Sequence, residues 1–329
     1  MKHINRRFLL STGTDFKVST PLTTMMLDKV KLYNQDFVAT QIFPEVGVPR
    51  DIGKFWDSGL DMLRLESTER APGELGQMST RAGSYTSYAT HQYAAASPIT
   101  VEERDTFKDY LEADLEAERA EDNLGRLLLA REKRVVTLIA ASGSFGTVKT
   151  LLANQQWNNH TGDDHDVVRD VRTAVAAILP IKATHIIAPA RVQLATLGSP
   201  SIMDFVKYTA GPEALARGVW GPTFMGLKVI TADATYLSNV KGAANVAANL
   251  YADSVVVAAL AQNVGTKKTM GWGVSFVYPS IQANLVVDTW GGYDNDPALT
   301  KFVRVRDKGR VEQVLHTACA YKIASTLGE

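Results

Sequence analysis

The clearest hydrophobic pattern lies between residues 101 and 140. Apolar residues recur there at helical spacing, and no proline interrupts the run. Thr100 stands where a helix needs an N-cap, and Glu103 follows at the capping-box distance. The pattern predicts one helix about 58 Å long. Because a compact domain of this size is narrower than that, we expect the helix to run along an elongated body.

Residues 46–97 have a different pattern, with short alternating segments separated by glycine and proline. Residues 54–57 and 84–88 alternate as strands do, and residues 70–76 are rich in turn formers. We predict two long strands joined near residues 70–76. The segment has few large aliphatic residues and cannot build a core of its own, so we expect it to pack on a neighbouring subunit.

The first 45 residues form an arm without sustained periodicity, apart from one predicted helical stretch at 25–37. Such a segment cannot fold alone, so we expect it to lie on another part of the structure. Residues 166–329 mix the two periodicities, which predicts an α+β lobe with a mixed sheet. Helices are predicted at 166–179, 190–197 and 202–208, and strands at 183–189, 226–231, 254–260, 274–278, 283–290, 301–306 and 311–324.

Composition narrows the function classes. The chain has 35 basic and 35 acidic residues, so its formal net charge is zero. This balance argues against a dedicated nucleic-acid binder and makes self-association easier. The single cysteine, Cys319, cannot form an internal disulfide, and no stretch reaches the length of a membrane span. We therefore expect a soluble, cytoplasmic protein.

The neutral total hides separated blocks of charge. Basic side chains outnumber acidic ones in the arm. Residues 102–126 contain ten acidic and four basic side chains, and residues 301–322 contain six basic and two acidic ones. Such separation suits a protein that binds further copies of itself, with basic segments meeting acidic ones.

One cluster of side chains could hold a metal ion: His160, Asp163, Asp164, His165 and Asp166. The spacing matches no helix-based zinc pattern. An aspartate directly before a periodic apolar segment is more simply an N-cap, which is the interpretation we favour. A metal-dependent α/β enzyme that uses His160 and Asp164 remains the alternative from another class.

Other reactive residues point to packing. Cys319, His185 and His316 fall in apolar, strand-like runs, where buried or hydrogen-bonded roles are commoner than catalysis. No dinucleotide, P-loop or nucleophile-elbow motif is present. Trp56 leaves two interpretations open, either an intermolecular contact or packing on Tyr85 or Tyr88 across the predicted hairpin.

The order of several short segments resembles major capsid proteins of tailed bacteriophages. The resemblance covers nearly the whole chain, although each motif alone is weak. The segments include QIFPEVGVP at 41–49, GKFWD at 53–57, RAPG at 70–73, SPI at 97–99 and SIMDFVKYT at 201–209.

The resemblance implies the Hong Kong 97-type capsid fold, an α+β architecture with a long spine helix. The arm would be residues 1–45 and the extended E-loop residues 46–97. The P-domain would hold the spine helix and the loop after it at 98–164, with return strands at 296–329. The axial A-domain, with its mixed sheet, would be residues 165–295.

The same resemblance implies a structural protein rather than an enzyme, without cofactor or metal. It would assemble into hexamers and pentamers of an icosahedral shell around double-stranded DNA, and the DNA would be contacted non-specifically on the inner face. Its partners would be scaffolding and portal proteins and a decoration protein, and its location would be the virion after assembly in the host cytoplasm. An encapsulin-like nanocompartment is the alternative within this class. We expect subunit contacts in the E-loop at Lys54, Trp56, Arg64, Glu66, Arg70 and Glu74.

Lys54 has a second use in this comparison, because some relatives form an isopeptide cross-link from the E-loop. It is the only lysine of residues 46–97.

Overall fold

The structure is a computed structural model. It describes residues 17–33, 37–57, 69, 72–73, 84–110, 115–159, 166–178, 181–209, 220–239, 242, 244–261, 271–278, 285–291 and 300–328. Two six-stranded sheets organise these residues, and a long helix lies along the first of them. None of the helices described is both long enough and apolar enough to cross a membrane.

The arm packs on its own chain. Strand β1 (Lys17–Val18) pairs with β14 (Leu285–Gly291), and helix α1 (Thr20–Tyr33) lies on the long helix α4 (Leu115–Ala140). The fully buried Met26 joins the core beneath them. The predicted arm helix is confirmed in part, since it starts earlier than residue 25 and ends at Tyr33. A short helix, α2 (Ala39–Ile42), follows.

The predicted long helix is present in two described pieces, α3 (Val101–Tyr110) and α4, and residues 111–114 between them lie outside the described part. The Thr100 cap is confirmed, because the backbone N–H of Glu103 donates to Thr100 Oγ1 at 3.2 Å. At the other end, Lys322 Nζ donates to the carbonyls of Ile139 and Ala140. A cation at this position satisfies the last carbonyls and complements the helix dipole.

The first sheet carries α4 on one face. Its strands are β2 (Glu45–Gly47), β5 (His91–Thr100), β13 (Gly273–Val277) and β15 (Thr300–Val314), together with β1 and β14. Val287, Val303 and Val305 are fully buried against Leu124 of α4. This packing explains why the helix periodicity was so clear in the sequence.

A two-stranded hairpin extends the chain between β2 and β5. It consists of β3 (Ile52–Asp57) and β4 (Ser84–Ala89), which pair antiparallel. The prediction of two strands is therefore confirmed for these residues. Of the predicted turn at 70–76, only residues 72 and 73 are described.

The second sheet has the order β6 (Thr147–Thr150), β16 (Ala320–Ala324), β12 (Val255–Ala258), β7 (His185–Pro189), β9 (Leu227–Ala232) and β8 (Thr223–Phe224). Parallel and antiparallel pairs both occur, so the predicted mixed sheet is confirmed. Three helices belong to the same region, α5 (Val167–Ala177), α6 (Ala190–Thr196) and α7 (Pro200–Thr209). A second small hairpin is formed by β10 (Thr235–Leu237) and β11 (Ala247–Asn249).

The single strand predicted at 311–324 is wrong. The chain leaves the first sheet at the end of β15, makes a 3₁₀ turn at Thr317–Cys319 and enters the second sheet as β16. Strand pairing also crosses the boundary predicted at 295–296, since β13 and β14 join β15 in the first sheet while β16 belongs to the second. A run of apolar residues does not reveal which sheet each half joins.

Candidate intersubunit surface

The hairpin places the two described contact candidates on one face. Antiparallel pairing sets Lys54 opposite Ser87 and Trp56 opposite Tyr85, and Ile52 lies opposite Ala89. Directly paired residues project to the same side of an antiparallel ribbon. Ile52 is 67% exposed and Tyr85 63% exposed, and Lys54 is also exposed. We call Ile52, Lys54, Trp56 and Tyr85 the hairpin face.

The opposite side of the hairpin is attached to the first sheet. The ring of Phe55 lies 5.3 Å from that of Phe276, and Tyr88 stacks on Phe276 at 4.8 Å. Gly53 makes this approach possible, since a Cβ there would lie 2.5 Å from Tyr88 Oη. The hairpin is therefore buried on one side and open on the other.

Trp56 packs locally. Its ring meets Tyr85 edge-on with a centroid distance of 4.8 Å, so the hairpin interpretation of Trp56 is confirmed. Tyr85 nevertheless stays exposed, and a two-stranded ribbon is only marginally stable by itself in water. A partner that covered the hairpin face would bury two aromatic rings and one isoleucine.

The other four predicted contact residues, Arg64, Glu66, Arg70 and Glu74, lie outside the described residues. Their role in subunit contacts stays a prediction.

The root of the hairpin holds a group of charges, three of them buried and three half-buried, that the sequence did not reveal. Its six members are Glu45 of β2, Arg131 and Arg134 of α4, and Asp307, Arg310 and Glu312 of β15. We call them the basal ion cluster. Three are cations and three are anions, so the cluster is formally neutral, as a buried set of charges needs to be.

The pairs in the cluster are specific. Arg134 binds Glu312 with two hydrogen bonds of 2.9 and 3.1 Å, and its guanidinium lies 3.8 Å from the ring centre of Tyr93 in β5. Arg310 donates to both Asp307 and Glu45 at 2.6 Å. The cluster therefore ties the strands on either side of the hairpin to α4 and β15.

A β-bulge aims Arg310 at its partners. The pairing of β15 with β5 shifts register between Asp307 and Arg310. Gly309 lies inside the bulge, where a Cβ would come within 2.9 Å of Thr90 Oγ1 and 3.1 Å of the Tyr278 carbonyl. Only glycine fits such an approach without movement of its neighbours.

The cluster shifts the pKa values of its members. Burial alone would raise the pKa of Glu45, but Arg310 and Arg131 overcome it and hold that pKa below the ordinary value. Burial alone would lower the pKa of Arg310, whereas Asp307 and Glu45 raise it. Burial lowers the pKa of Arg131 to about 10, and the neighbouring Arg310 adds to that effect. The charges of Glu45 and Arg310 are thus stabilised by their partners, and that of Arg131 is stabilised less.

Glu132 forms a second buried joint. Its carboxylate accepts the backbone N–H groups of Val38 (3.2 Å) and Ala39 (2.9 Å) at the start of α2 and also accepts from the Tyr251 hydroxyl. Burial raises the pKa of Glu132, and these hydrogen bonds oppose the rise. One side chain thus connects the arm, α4 and the segment that follows β11.

Some of the basic and acidic side chains from the separated blocks pair with each other within one chain. Lys29 of the arm pairs with Glu121 at 3.0 Å, and Lys301 pairs with Glu116. For these two lysines the expectation of pairing between copies is wrong, because α1 and β15 lie directly on the acidic helix. Glu118 and Asp122 remain exposed on α4, while Lys2, Arg6 and Arg7 lie outside the described residues.

Of the predicted metal cluster, only Asp166 is described. It caps α5, accepting the Arg169 backbone N–H at 2.9 Å, so the N-cap interpretation is confirmed for this residue. His160, Asp163, Asp164 and His165 lie outside the described residues. Over the part of the chain that is described, no group of three or more His, Cys, Asp or Glu side chains could hold a metal ion.

The remaining reactive residues, one cysteine and two histidines, are buried or hydrogen-bonded. Cys319 is fully buried in the 3₁₀ turn rather than in a strand. His185 lies in β7 with Nδ1 2.7 Å from Thr184 Oγ1, and burial lowers its pKa. His316 precedes the 3₁₀ turn, and its backbone N–H donates to Trp272.

Comparison of the whole fold with solved structures identifies the architecture. A phage-related protein from Bordetella bronchiseptica RB50 superposes with a TM-score of 0.67 at 18% identity, covering 94% of this chain and 98% of the other. The capsid protein of cyanophage P-SCSP1u gives a TM-score of 0.56 at 14% identity, covering 86% of both chains. This chain has the Hong Kong 97-type capsid fold.

The Hong Kong 97-type fold also occurs in a shell of another kind. The SrpI encapsulin of Synechococcus elongatus PCC 7942 superposes with a TM-score of 0.51 at 12% identity, over 87% of this chain and 86% of that one. No protein-family model matches the sequence, and a search of curated proteins likewise finds no match. The similarity is therefore one of fold, which confirms the resemblance drawn from the short sequence segments at that level.

Proposed function

We propose that this protein is the major capsid subunit of a tailed bacteriophage, assembling as hexamers and pentamers into an icosahedral shell around double-stranded DNA. The observation that carries the proposal is the hairpin. It is anchored through Phe276 and the basal ion cluster, and its apolar outer face is left open on a chain with a capsid fold.

The hairpin face supports self-association for a physical reason. Aromatic residues contribute strongly to protein interfaces, and the rigid root fixes the direction in which they are presented. Each contact can be modest, because every subunit of a closed shell makes the same contact with its neighbours and the contacts reinforce one another. Lys54, between Ile52 and Trp56, would set the register with an acidic group of the neighbour.

The proposal includes further partners and a location. A scaffolding protein, a portal protein and a decoration protein would act with the shell, and the DNA would be held without sequence specificity. The subunit would assemble in the host cytoplasm and function in the virion. It would act by assembly and not by catalysis, without a cofactor.

The alternative shell is an encapsulin-like compartment that encloses protein cargo, which the similarity to SrpI favours. Negative-stain electron microscopy of the protein, expressed with and without its neighbouring genes, separates the two. DNA-filled heads with tails would support the phage capsid, and closed shells that contain protein and no DNA would support the compartment.

The metal-dependent enzyme is tested on the same purified protein. Metal analysis combined with native size would decide, since a monomer with stoichiometric metal would overturn the shell proposal. The shell proposal predicts large particles without bound metal.

The isopeptide use of Lys54 has a separate test. Mature shells are boiled in denaturant and separated by electrophoresis. Ladders of linked subunits that disappear in Lys54→Arg would establish the cross-link, and monomer bands alone would exclude it without affecting the shell proposal.

A further inference from the structure

Strand β3 of the hairpin has one paired edge and one open edge. It pairs with β4 on one side, and no other strand of the described part of the chain pairs with it. Ile52 and Lys54 are exposed and Trp56 is half-buried, so the second edge is accessible from solvent. A strand edge with unpaired backbone groups is a template for a further strand.

The hydrogen bonding at the base of the hairpin decides which backbone groups lie on the open edge. The N–H of Thr90 donates to the carbonyl of Asp51 at 2.8 Å, so these two residues form a hydrogen-bonded pair. Hydrogen-bonded and non-hydrogen-bonded pairs alternate along an antiparallel ribbon. In the register of β3 and β4, the N–H and C=O groups of Lys54 and Trp56 therefore point away from β4.

Two further contacts agree with this alternation. The N–H of Ile52, which must also point outward, donates to the carboxylate of Asp51 at 2.9 Å. On the other strand the carbonyl of Ser87 points outward and accepts from Gln313 Nε2 at 3.3 Å. Among the described residues, the backbone groups of Lys54 and Trp56 have no such partner.

The same contacts show which way the open edge faces. Gln313 belongs to β15, so the outer edge of β4 lies on the side of β15. The hairpin rests on Phe276 of β13, and the order of the first sheet continues from β15 through β13 to β2, its last strand. The open edge of β3 therefore faces the border of the first sheet, where another molecule can approach.

We propose that two copies of the chain pair through this edge, β3 against β3 in antiparallel orientation, so that two hairpins form one four-stranded sheet. This contact rests on the proposed function, because rings of subunits close into a shell only if neighbouring rings bind each other. A contact between two identical strands has twofold symmetry, which suits the boundary between two rings. The larger sheet would also stabilise a ribbon that is marginal with two strands.

The side chains favour one register of this pairing. Outward-pointing residues must meet outward-pointing residues, so Lys54 can lie opposite Lys54 or opposite Trp56 of the second copy. The first arrangement sets like charges directly opposite each other, which is destabilising. The second sets each lysine beside an indole ring, a favourable cation–aromatic contact, and hydrogen-bonds both backbone groups of Lys54 and of Trp56.

A disulfide test reports on the register. Chains with Lys54→Cys and chains with Trp56→Cys are given different tags, assembled together, oxidised and separated by denaturing electrophoresis without reductant. We expect linked dimers with one chain of each kind, because directly paired Cα atoms are about 5.5 Å apart, within disulfide range. Neither variant alone should link, since diagonal neighbours are about 7–8 Å apart. Wild type, whose single cysteine is buried, is the control.

The outcomes separate this contact from the shell itself. Shells without mixed dimers would overturn the strand pairing and leave the shell proposal standing. Links in Lys54→Cys alone would overturn the register. A wild-type chain that forms no shell would count against the proposed function, and oxidation of the mixed variants in solution would then test the strand pairing by itself.

Proline substitutions test the backbone groups. Lys54→Pro removes an outward N–H from the open edge, and Ser87→Pro removes one from the β4 edge at the residue directly opposite. Neither N–H belongs to the ladder within the hairpin, so both variants should fold. Lys54→Gln keeps the N–H and removes the charge. In sedimentation, we expect Lys54→Pro to lose closed shells, whereas Ser87→Pro and Lys54→Gln retain them.

Two results of the proline series would contradict the pairing. Equal shell yields in Lys54→Pro and Ser87→Pro would show that the open edge is not used. Loss of shells in Lys54→Pro without mixed disulfide dimers would place a strand of another kind on this edge and overturn the self-pairing. If Lys54→Pro does not fold, the disulfide test decides alone.

Discussion

The first sheet with α4, and the hairpin that projects from it, bury their apolar residues to very different extents. In the first region Leu124, Val135, Val287 and Val303 have no exposed surface. In the second, Ile52 and Tyr85 are about two-thirds exposed, at 67% and 63%. The first region is therefore complete within one chain. The outer side of the hairpin is completed only by something outside it, and this difference is the basis of the shell proposal.

The largest expected effect comes from the root of the hairpin. Arg310→Met would leave Glu45 and Asp307 buried without their shared cation, and breaking such a pair costs about 3–5 kcal/mol of unfolding free energy. Urea unfolding of the soluble subunit measures it. Arg126→Met, on the exposed side of α4, should change stability by less than about 0.5 kcal/mol. Equal effects in the two variants would show that the basal ion cluster does not stabilise the fold.

Substitutions in the hairpin face should impair assembly far more than they impair the stability of the subunit. Ile52→Ser with Tyr85→Ser removes mainly exposed surface, together with the edge-on contact between Tyr85 and Trp56, so the unfolding free energy of the subunit should fall by no more than about 2 kcal/mol. Assembly into particles, measured by sedimentation, should be lost because every subunit contact is weakened at once. Leu152→Ser is the control, since Leu152 is 65% exposed but lies elsewhere. Normal particles from the double variant would remove the hairpin face from the interface.

Glu132, which connects the arm to α4, should make the unfolding free energy depend on pH, with an effect of intermediate size. Burial raises the pKa of Glu132 above its ordinary value of 4.5, so the folded chain binds that proton more tightly than the unfolded chain does. The contribution of Glu132 is therefore fully present below pH 4.5 and is lost as the pH rises through the folded pKa. Relative to wild type, Glu132→Gln should become steadily more stable between pH 4.5 and 7. A pH-independent difference in urea midpoints would contradict this.

Replacing Glu45 should change stability relative to wild type with the opposite dependence on pH. Its pKa is held below 4.5 by Arg310 and Arg131, so its contribution is present above pH 4.5 and disappears as the pH falls through the lower, folded value. The destabilisation by Glu45→Gln should therefore shrink on acidification. Measuring both variants in one buffer series makes each the control for the other, and slopes of the same sign would refute the two assignments.

The smallest effect concerns salt. Assembly should weaken between about 0.05 and 0.5 M salt, since contacts among exposed charges are screened. The unfolding free energy of the subunit should change little, because the basal ion cluster is largely shielded from solvent. Lys29 and Lys301 already form ion pairs within one chain, so the expected effect of salt on assembly is modest. Assembly that is unchanged over this range, measured by light scattering, would rule out charge pairing between copies.

Local patterns in the sequence predicted the local structure well. Thr100 and Asp166 were identified as caps because capping depends on residues only three apart, and both caps are present. The two hairpin strands and the mixed sheet followed from alternation in the same way. The order of short segments further indicated the fold, which the solved structures confirm.

Contacts between distant parts of the chain were not predictable from such patterns. Glu45, Arg131 and Arg310 belong to three different elements, and each alone resembles an ordinary surface charge. Only the folded chain brings them together, with a bulge at Gly309 that no periodicity marks. The same reason applies to two other features. The sequence did not predict that β15 and β16 belong to different sheets, or that Lys29 pairs with Glu121.

Cryo-electron microscopy of particles purified from cells that express this protein tests the central claim most directly. The account predicts a closed shell in which Ile52, Trp56 and Tyr85 of each copy are buried against an adjacent copy. A protein that remains monomeric under all conditions, or a shell in which this face of the hairpin stays in contact with solvent, would contradict it.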